Sequence, residues 1–273
     1  MFRTPTNPSR LRSAFAMMEV TFHAAVRRVR KSHRNAAFGL MMNIAQSVLF
    51  VVLLYLVFDL LGMRRTAVRG DFMLYTMTGV FMFMTFSKTM GAVAGAENST
   101  SQMMKHAPMN TFVSIGAAAL SSLYIQILSA GVILFFYDVV FNPITIDEPV
   151  GALMTLLMAW IWGMSVGMVF LAARPWSPNL FGLAATIFQR LNLLFSGKMF
   201  LANTLSTTML AMFWWNPLFH IIDQSRGYVF LNYSPRFTSL TYPLKVTLAC
   251  FMVGLLLENF TRRHASASWN ATN

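Results

Sequence analysis

"FGLMMNIAQSVLFVVLLYLVFDLL", residues 38–61, is a continuous apolar run with one acidic residue near its end. A spanning helix needs about 20 mostly apolar residues, so this run is long enough to cross a membrane. It is too long for the apolar part of a signal peptide, and no small-residue cleavage site follows it. The stretch therefore predicts a membrane protein built from helices.

The composition of the whole chain points the same way. Of 273 residues, 56% are apolar and only 11% are charged, whereas a soluble domain carries about 25% charged residues. Such a chain cannot cover itself with a water-compatible surface. The formal net charge of +12 would suggest nucleic acid in a soluble protein, but the basic residues lie mainly in loops and at the N-terminus. We therefore expect anionic lipid headgroups, and no nucleic acid, as their partner.

Five further apolar runs resemble spanning helices, which gives six predicted spans and an all-α membrane protein. Besides residues 38–61, the spans are residues 72–91, 112–136, 150–173, 180–200 and 243–259. The fourth contains Gly163-x-x-x-Gly167, a spacing that permits close contact between helices. No internal repeat supports an inverted-repeat transporter.

Lysines and arginines in the short loops predict the orientation. An even number of spans puts both termini on one side, and that side holds most of the basic loop residues. The cluster of Arg64, Arg65 and Arg69 lies on the other side without reversing the balance. The positive-inside rule therefore puts both termini in the cytoplasm.

The N-terminal segment, residues 1–35, predicts a helix that lies along the membrane surface. Its apolar residues recur at steps of three and four on one stripe: Leu11, Phe15, Met18, Phe22, Val26 and Val29. Most of its arginines lie off the stripe, as in interfacial helices. A basic segment that only fixes topology is the alternative, and the sustained stripe favours the interfacial helix.

The segment "GAVAGAENSTSQMMKHAPMN", residues 91–110, joins the second and third spans on the predicted cytoplasmic side. Its polar residues are good helix N-caps, and Pro108 closes it before the next span. A short helix here would present to a cytoplasmic partner the side chains of Glu97, Asn98, Ser99, Gln102 and Lys105. A solvated connection explains the spacing equally well.

The outer segment, residues 197–241, separates the last two spans on the opposite face. Residues 200–213 are too apolar for a water-exposed loop and too interrupted for a plain span, so we expect a re-entrant segment that protein or a cavity covers. Asn216 and Pro217 then suit the start of a new helix. We expect this helix to lie in the membrane interface, with its polar groups toward water and not in a buried cluster. The outer interfacial motif comprises Asn216, Pro217, His220, Asp223 and Arg226.

Three charged residues fall within or at the edge of predicted spans. Arg190 lies near the middle of the fifth span, where a charge costs at least about 2.5–3.5 kcal/mol. We expect it to face a substrate pathway, and hydrogen bonds to neighbouring carbonyls are the alternative. Lys88 and Lys198 lie close enough to span ends to snorkel to the interface. The candidate pathway residues are Arg190, Gln189, Lys198, Trp214 and Trp215.

Motifs that would carry catalysis are missing from the sequence. "FSGKMF", residues 195–200, lacks the first glycine and the hydroxyl residue of a P-loop, so we expect no ATP site in this chain. No His and Cys residues have the spacing of metal ligands, and no Ser–His–Asp grouping lies on one side of the membrane in a plausible pocket. We therefore predict a protein that is not an enzyme and has no metal or cofactor of its own.

"LFSGKMFLANTLSTTMLAMFWWNPLFHIIDQSRGYVFLNYSPRFTSLTYPL", residues 194–244, carries a more specific pattern. It resembles the capsular polysaccharide export permeases, which are ABC-2 type exporter permeases. They carry Ser-Gly followed by aromatics, then Trp-Asn-Pro-Leu, a His, an acidic residue, an Arg-Gly and a late Tyr-Pro. The matching residues are Ser196, Gly197, Trp215, Asn216, Pro217, Leu218, His220, Arg226, Gly227, Tyr242 and Pro243. Lys198-Met199 departs from the pattern.

The resemblance implies the ABC-2 (type V exporter) fold. Its parts would be the interfacial N-terminal segment 1–35, a six-span transmembrane domain at 36–260 and a cytoplasmic tail at 261–273. Residues 91–110 would form the coupling helix, and the re-entrant pair around 200–215 would form the outer gate.

The resemblance also implies partners and a cargo. The permease would be a homodimer with a substrate channel at its interface, joined by two copies of an ATPase subunit that bind ATP and Mg²⁺. The cargo would be a lipid-linked, capsular-type polysaccharide that crosses the bacterial inner membrane. Periplasmic and outer-membrane export proteins would be further partners.

Two alternatives remain open. One is an ABC-2 permease for O-antigen, teichoic acid or a small hydrophobic drug. The other is a membrane scaffold without transport, which has little use for a mid-span arginine. Neighbouring genes for an ATPase, capsule synthesis and outer-membrane export would favour the capsule cargo.

Overall fold

The computed structural model describes residues 10–31, 36–60, 71–98, 110–141 and 143–264, and within them all regular structure is helical. The helices are α1 (Arg10–Lys31), α2 (Ala36–Leu60), α3 (Phe72–Ala94), α4 (Thr111–Val140), α5 (Pro149–Ala173), α6 (Pro178–Phe195), α7 (Thr207–Trp214), α8 (Pro217–Val229) and α9 (Thr241–His264). One turn of 3-10 helix, Ala202–Thr204, precedes α7. The all-α fold class is confirmed for this part of the chain.

Four of these helices are long and apolar enough to cross a membrane, which makes the chain a multi-pass membrane protein. They are α2, α4, α5 and α9, with the candidate spans Phe38–Leu60, Thr111–Val140, Pro149–Ala173 and Thr241–His264. Helices α3 and α6 occupy the positions of the second and fifth predicted spans, but they do not meet the same standard of length and apolarity. The count of six spans therefore stays a prediction.

Helix α3 lies at the centre of the helices and is buried along most of its length. It packs closely against α5 where the two glycines of the Gly163-x-x-x-Gly167 motif face it. A Cβ atom at Gly163 would lie 2.5 Å from the carbonyl oxygen of Phe86, and one at Gly167 would lie 2.7 Å from that of Met90. The motif therefore brings two helices of the same chain into backbone contact.

Helix α1 packs along α4 and leaves an apolar face uncovered. The methyl group of Thr21 would lie 2.9 Å from a Cβ at Gly116, so the two helices meet closely at that point. Phe15, Met18 and Phe22 are exposed on the opposite side. This arrangement agrees with the predicted apolar stripe, and its contact with a membrane stays a prediction.

Helix α6 ends earlier than the sequence predicts. The predicted fifth span runs to residue 200, but the helix stops at Phe195. Gly197 has φ +67, a left-handed conformation that glycine adopts without strain and that a continuing helix excludes. A Cβ at this position would also lie 2.1 Å from the Phe219 ring. The predicted end is therefore wrong, because the backbone turns sharply at Gly197 and goes on through α7 into α8.

Candidate functional site

Helix α8 lies inside the protein, and most of its polar side chains are buried. Its apolar residues join the core formed by α3 and α5. The α8 polar cluster, defined as Asn216, His220, Asp223 and Arg226, is at most 1% exposed at each member, and Pro217 is also buried. The prediction that this motif faces water from an interfacial helix is wrong. The reason is that neighbouring segments of the chain supply partners for these polar groups.

Asn216 joins the start of α8 to the end of α6. Its Oδ1 accepts a hydrogen bond of 3.0 Å from the backbone N–H of Leu218, so it is the predicted N-cap. Its Nδ2 donates to Oδ1 of Asn192 at 3.1 Å and to the carbonyl of Phe195 at 2.9 Å. One side chain therefore caps α8 and fixes the last turn of α6.

Asp223 holds three separate points of the outer segment. Its Oδ1 accepts hydrogen bonds from the backbone N–H of Ala202 at 3.1 Å and from the Tyr233 hydroxyl at 2.5 Å. Its Oδ2 accepts one from the Thr238 hydroxyl at 2.7 Å. Burial, and next the charge of Asp223, raise the pKa of Tyr233, so the tyrosine stays protonated and keeps donating. The carboxylate thus ties the 3-10 turn and the loop after α8 to α8 itself.

Arg226 binds the turn between α6 and the 3-10 helix through backbone carbonyls. One nitrogen, Nη1, donates to Gly197 O at 3.3 Å and to Phe200 O at 2.5 Å, and Nη2 donates to Lys198 O. The guanidinium carbon also lies 4.1 Å from the centre of the Tyr75 ring on α3. A rigid, planar fork with several donors suits such a set of carbonyls better than an ammonium group would.

His220 is held as a neutral imidazole. Its Nδ1 accepts a hydrogen bond of 3.3 Å from the backbone N–H of Ser239, which leaves Nε2 to donate to the carbonyl of Trp214 at 2.8 Å. Burial lowers the pKa of His220, while the two backbone bonds and the charge of Asp223 oppose the shift. The ring therefore links α7 to the loop before α9 without carrying a charge.

Lys198, a candidate pathway residue, is packed inside the chain. Its Nζ donates to the carbonyl of Leu193 in the last turn of α6. The ammonium lies 4.7 Å from the centre of the Phe83 ring and 5.6 Å from that of Phe50, a position that the ring quadrupoles favour. In this conformation Lys198 fastens the end of α6 to α2 and α3, and the structure does not place it on an open pathway.

Gln189 and Arg190 face in different directions. Gln189 is half-buried, and its Nε2 donates to the carbonyl of Ser87 on α3 at 3.0 Å. Arg190 is exposed on the outer face of α6. The structure therefore does not bring these two candidate pathway residues together within one chain.

Trp214 and Trp215, the remaining pathway candidates, are half-exposed at the end of α7. The Trp214 ring stacks on Tyr242 at 5.5 Å between ring centres. The Tyr242 hydroxyl donates to the carbonyl of Trp215 at 2.7 Å. Both indoles thus stand beside the start of α9, at the surface of the chain.

Of the predicted coupling segment, the structure describes residues 91–98 and Asn110. The backbone N–H of Glu97 donates to the Ser114 hydroxyl on α4 at 3.1 Å. Arg28 of α1 donates to the carbonyl of Ala92 at the end of α3 at 2.9 Å. Burial lowers the pKa of Arg28, and the charge of Glu97 opposes that shift. Asn98 is also described, whereas Ser99, Gln102 and Lys105 lie outside the described residues.

Comparison with known proteins gives similarity along nearly the whole chain. No protein-family model matches it. An Escherichia coli protein named polysialic acid transport protein KpsM is 23% identical over 255 residues, which cover 93% of this chain and 98% of that protein. A second Escherichia coli protein of the same name is 23% identical over 257 residues, with the same coverage. The similarity confirms the resemblance that residues 194–244 predicted.

Proposed function

We propose that the chain is the transmembrane permease subunit of an ABC exporter that moves a lipid-linked, capsular-type polysaccharide across the bacterial inner membrane. One observation carries this proposal, namely the end-to-end similarity to proteins named for polysialic acid transport. The several apolar helices fit an integral membrane subunit.

In this proposal α3 and α6 also cross the membrane, which gives six spans with both termini in the cytoplasm. Helix α3 is enclosed by other helices, so its surface needs less apolar character than a lipid-facing helix does. Helix α6 has 18 residues, a length of about 27 Å at 1.5 Å per residue, close to the hydrocarbon thickness of about 30 Å. The transmembrane domain would occupy residues 36–260, between the N-terminal segment 1–35 and a tail at 261–273.

The outer segment, residues 197–241, would contain the re-entrant gate. Backbone groups at membrane depth persist only where protein or water satisfies them. Two residues of α8 share this role. Arg226 binds the carbonyls of Gly197, Lys198 and Phe200, and Asp223 binds the N–H of Ala202. These bonds support a non-helical segment at that depth.

A homodimer would complete the pathway. Arg190 is exposed on the face of α6 that also carries the exposed residues Leu183, Ile187 and Leu194. If α6 spans the membrane, a charge on this face needs a polar partner or a water-filled cavity. A second copy of the chain would supply that surface, and an anionic polymer in the resulting channel would meet the arginines.

Energy would come from two copies of a separate ATPase subunit that bind ATP and Mg²⁺. Residues 91–110 would act as the coupling helix at that subunit. The contacts of Arg28 with Ala92 and of Glu97 with Ser114 attach the beginning of this segment to α1 and α4, which supports the proposal.

Deletion of the gene in its host tests the proposal. We expect surface polysaccharide to be lost while lipid-linked polymer accumulates in the cytoplasm, and both should return when the full chain is supplied. Unchanged surface polysaccharide would contradict polysaccharide export. Purification of the chain without any nucleotide-binding subunit would favour a membrane scaffold.

A further inference from the structure

Helix α3 is buried among other helices except along one stripe of its second half. Between residues 74 and 93, the residues that are not buried recur at steps of three and four, so they share one face of the helix. They are Met84, Ser87, Lys88, Gly91 and Ala92. The stripe contains a single charged residue, Lys88. We call this stripe, with the side chains that flank it on α2 and α6, the α3 groove.

Two amide side chains flank the α3 groove. From α2, Oε1 of Gln46 accepts a hydrogen bond of 2.5 Å from Nζ of Lys88. From α6, Gln189 donates to the carbonyl of Ser87, and its Nε2 would lie 3.1 Å from a Cβ at Gly91. Helices α2 and α6 therefore each present a polar group to the open stripe of α3.

The ammonium of Lys88 is held at membrane depth. The Phe50 ring of α2 packs on the Phe83 ring of α3. Gln46 precedes Phe50 whereas Lys88 follows Phe83, so the two helices run antiparallel and Gln46 lies level with Lys88. Gln46 is more than two turns inside the candidate span Phe38–Leu60, about 12 Å from its first residue. A lysine that snorkels would instead direct its ammonium to the membrane interface.

The charge of Lys88 has no acidic partner among the described residues. Helices α2, α3 and α6 have acidic residues only at Asp59 and at the N-cap Asp71, which both lie toward the opposite end from Lys88. Gln46 accepts one of the three donors of the ammonium and supplies no negative charge. A half-buried cation at this depth needs an anion or water to face.

One end of the α3 groove is closed and the other is open. The Phe50 and Phe83 rings lie 5.8 Å apart, and the ammonium of Lys198 lies 4.7 Å from the centre of the Phe83 ring. In the other direction, Gly91 and Gly95 are exposed as far as the end of α3. The groove therefore opens toward the end of α3 that is cytoplasmic in the proposed orientation.

We propose that the α3 groove binds the phosphate of an anionic lipid, with Lys88 as the cation that pairs with it and Gln46 as the residue that holds Lys88 in place. A lipid phosphodiester combines one negative charge with acyl chains. The groove combines one fixed positive charge with exposed apolar side chains on both flanking helices, such as Leu49 and Ile187. The ligand we expect is the lipid that carries the polysaccharide, and this identification rests on the proposed function.

The first experiment measures lipid binding to the purified full chain in detergent, per folded protein. The probe is dioctanoyl phosphatidylglycerol, and dioctanoyl phosphatidylcholine, which has no net charge, is the reference. One variant combines Gln46→Leu with Lys88→Leu, which replaces the hydrogen bond with an apolar contact and should insert at least as well as wild type. A second variant combines Gln46→Lys with Lys88→Gln, which keeps a cation and a hydrogen-bond acceptor in the groove. Lys245→Leu, at the exposed start of α9, removes one positive charge elsewhere and is the control.

We expect the preference for phosphatidylglycerol over phosphatidylcholine to fall about tenfold in the double leucine variant, because one charge-assisted hydrogen bond is lost. The exchanged pair and Lys245→Leu should keep a preference close to that of wild type. The inference is overturned if wild type shows no preference, if the double leucine variant keeps it, or if Lys245→Leu loses as much.

A second experiment identifies the source of the phosphate. It measures polysaccharide moved per permease by the full permease–ATPase complex in proteoliposomes. If the ligand is the cargo lipid, transport should fall in the double leucine variant and recover in the exchanged pair. Lost phosphatidylglycerol binding with normal transport would assign the α3 groove to a lipid of the bilayer. Failure of the wild-type complex to transport would contradict the proposed function, while the binding experiment would still decide the inference.

Discussion

Asp223 and Arg226 lie three residues apart on α8 and hold opposite ends of the same short segment. Asp223 binds the N–H of Ala202, and Arg226 binds the carbonyls of Gly197 and Phe200. The backbone between α6 and the 3-10 turn is therefore fixed to a helix that is itself enclosed by α3 and α5. In the proposed exporter, this segment and α8 would move as one body.

Arg226→Leu should destabilise the permease. The change removes the donors of buried carbonyls, and each unsatisfied group costs about 1–3 kcal/mol, so we expect a loss of roughly 3 kcal/mol or more in the free energy of unfolding. Arg226→Lys should recover only part of it, because the ammonium lacks the planar fork. Melting of the purified protein in detergent measures the effect.

Arg236→Leu is the matched control for that experiment. Arg236 is exposed in the loop after α8, and surface changes of this kind stay within about 0.5 kcal/mol. Equal melting temperatures for Arg226→Leu and Arg236→Leu would show that the buried fork does not stabilise the fold.

Gly163→Ala should separate α3 from α5. The added methyl group would stand 2.5 Å from the Phe86 carbonyl oxygen, and because this atom belongs to the α3 backbone it cannot move aside as a flexible side chain can, so we expect a loss of about 1–3 kcal/mol. Gly131→Ala on α4 is the control, because a Cβ there meets nothing within 4 Å and alanine favours a helix by about 1 kcal/mol. Membrane abundance and melting temperature should both fall in Gly163→Ala and both hold or rise in Gly131→Ala. A Gly163→Ala protein as stable as wild type would argue against this contact.

Acidification should weaken the folded permease through His220. Burial lowers the pKa of His220, so below the ordinary value of about 6.5 the unfolded chain binds more protons than the folded one. Stability is therefore full above that value and falls as the pH decreases toward the folded pKa. Melting followed between about pH 7.5 and about pH 5.5 measures this slope.

His220→Gln removes the titrating ring and should flatten the pH dependence of melting, even if the variant melts earlier at neutral pH. His23→Gln on the exposed face of α1 should keep the wild-type slope. An unchanged slope in His220→Gln would assign the acid sensitivity to other groups.

The sequence predicts the helices well and the environment of α8 poorly. Apolar length defines a helix such as α5, predicted at residues 150–173 and found at Pro149–Ala173. Asn216 and Pro217 also identify the start of α8, since capping is a local property. Burial of Asp223 and Arg226 is not local, because their partners at residues 197–202 and 233–238 become neighbours only in the folded chain.

Glu258 is another residue whose burial the sequence does not predict. A single acid near the end of an apolar run is expected to reach the membrane interface, so the sequence offered no reason to select it. Only the packing of α9 against α5 and the start of α4 encloses it. Its neighbours Asn259 and Arg262, which are not buried, follow the expected pattern.

Arg190 provides the most direct test of the substrate pathway. Because it is exposed on the outer face of α6, Arg190→Leu removes no packing within one chain, and it should insert at least as well as wild type. We expect export to fall sharply if the arginine faces an anionic polymer, while Arg190→Lys, which keeps the charge without the fork, should retain part of it.

Gln189→Leu is a useful comparison, since it breaks the bond to Ser87 and should lower the amount of folded permease instead. The deciding measurement is surface polysaccharide per permease in the membrane. Normal export per molecule in Arg190→Leu would remove this residue from the pathway, and a loss of dimer alone would assign it to contact between the two copies.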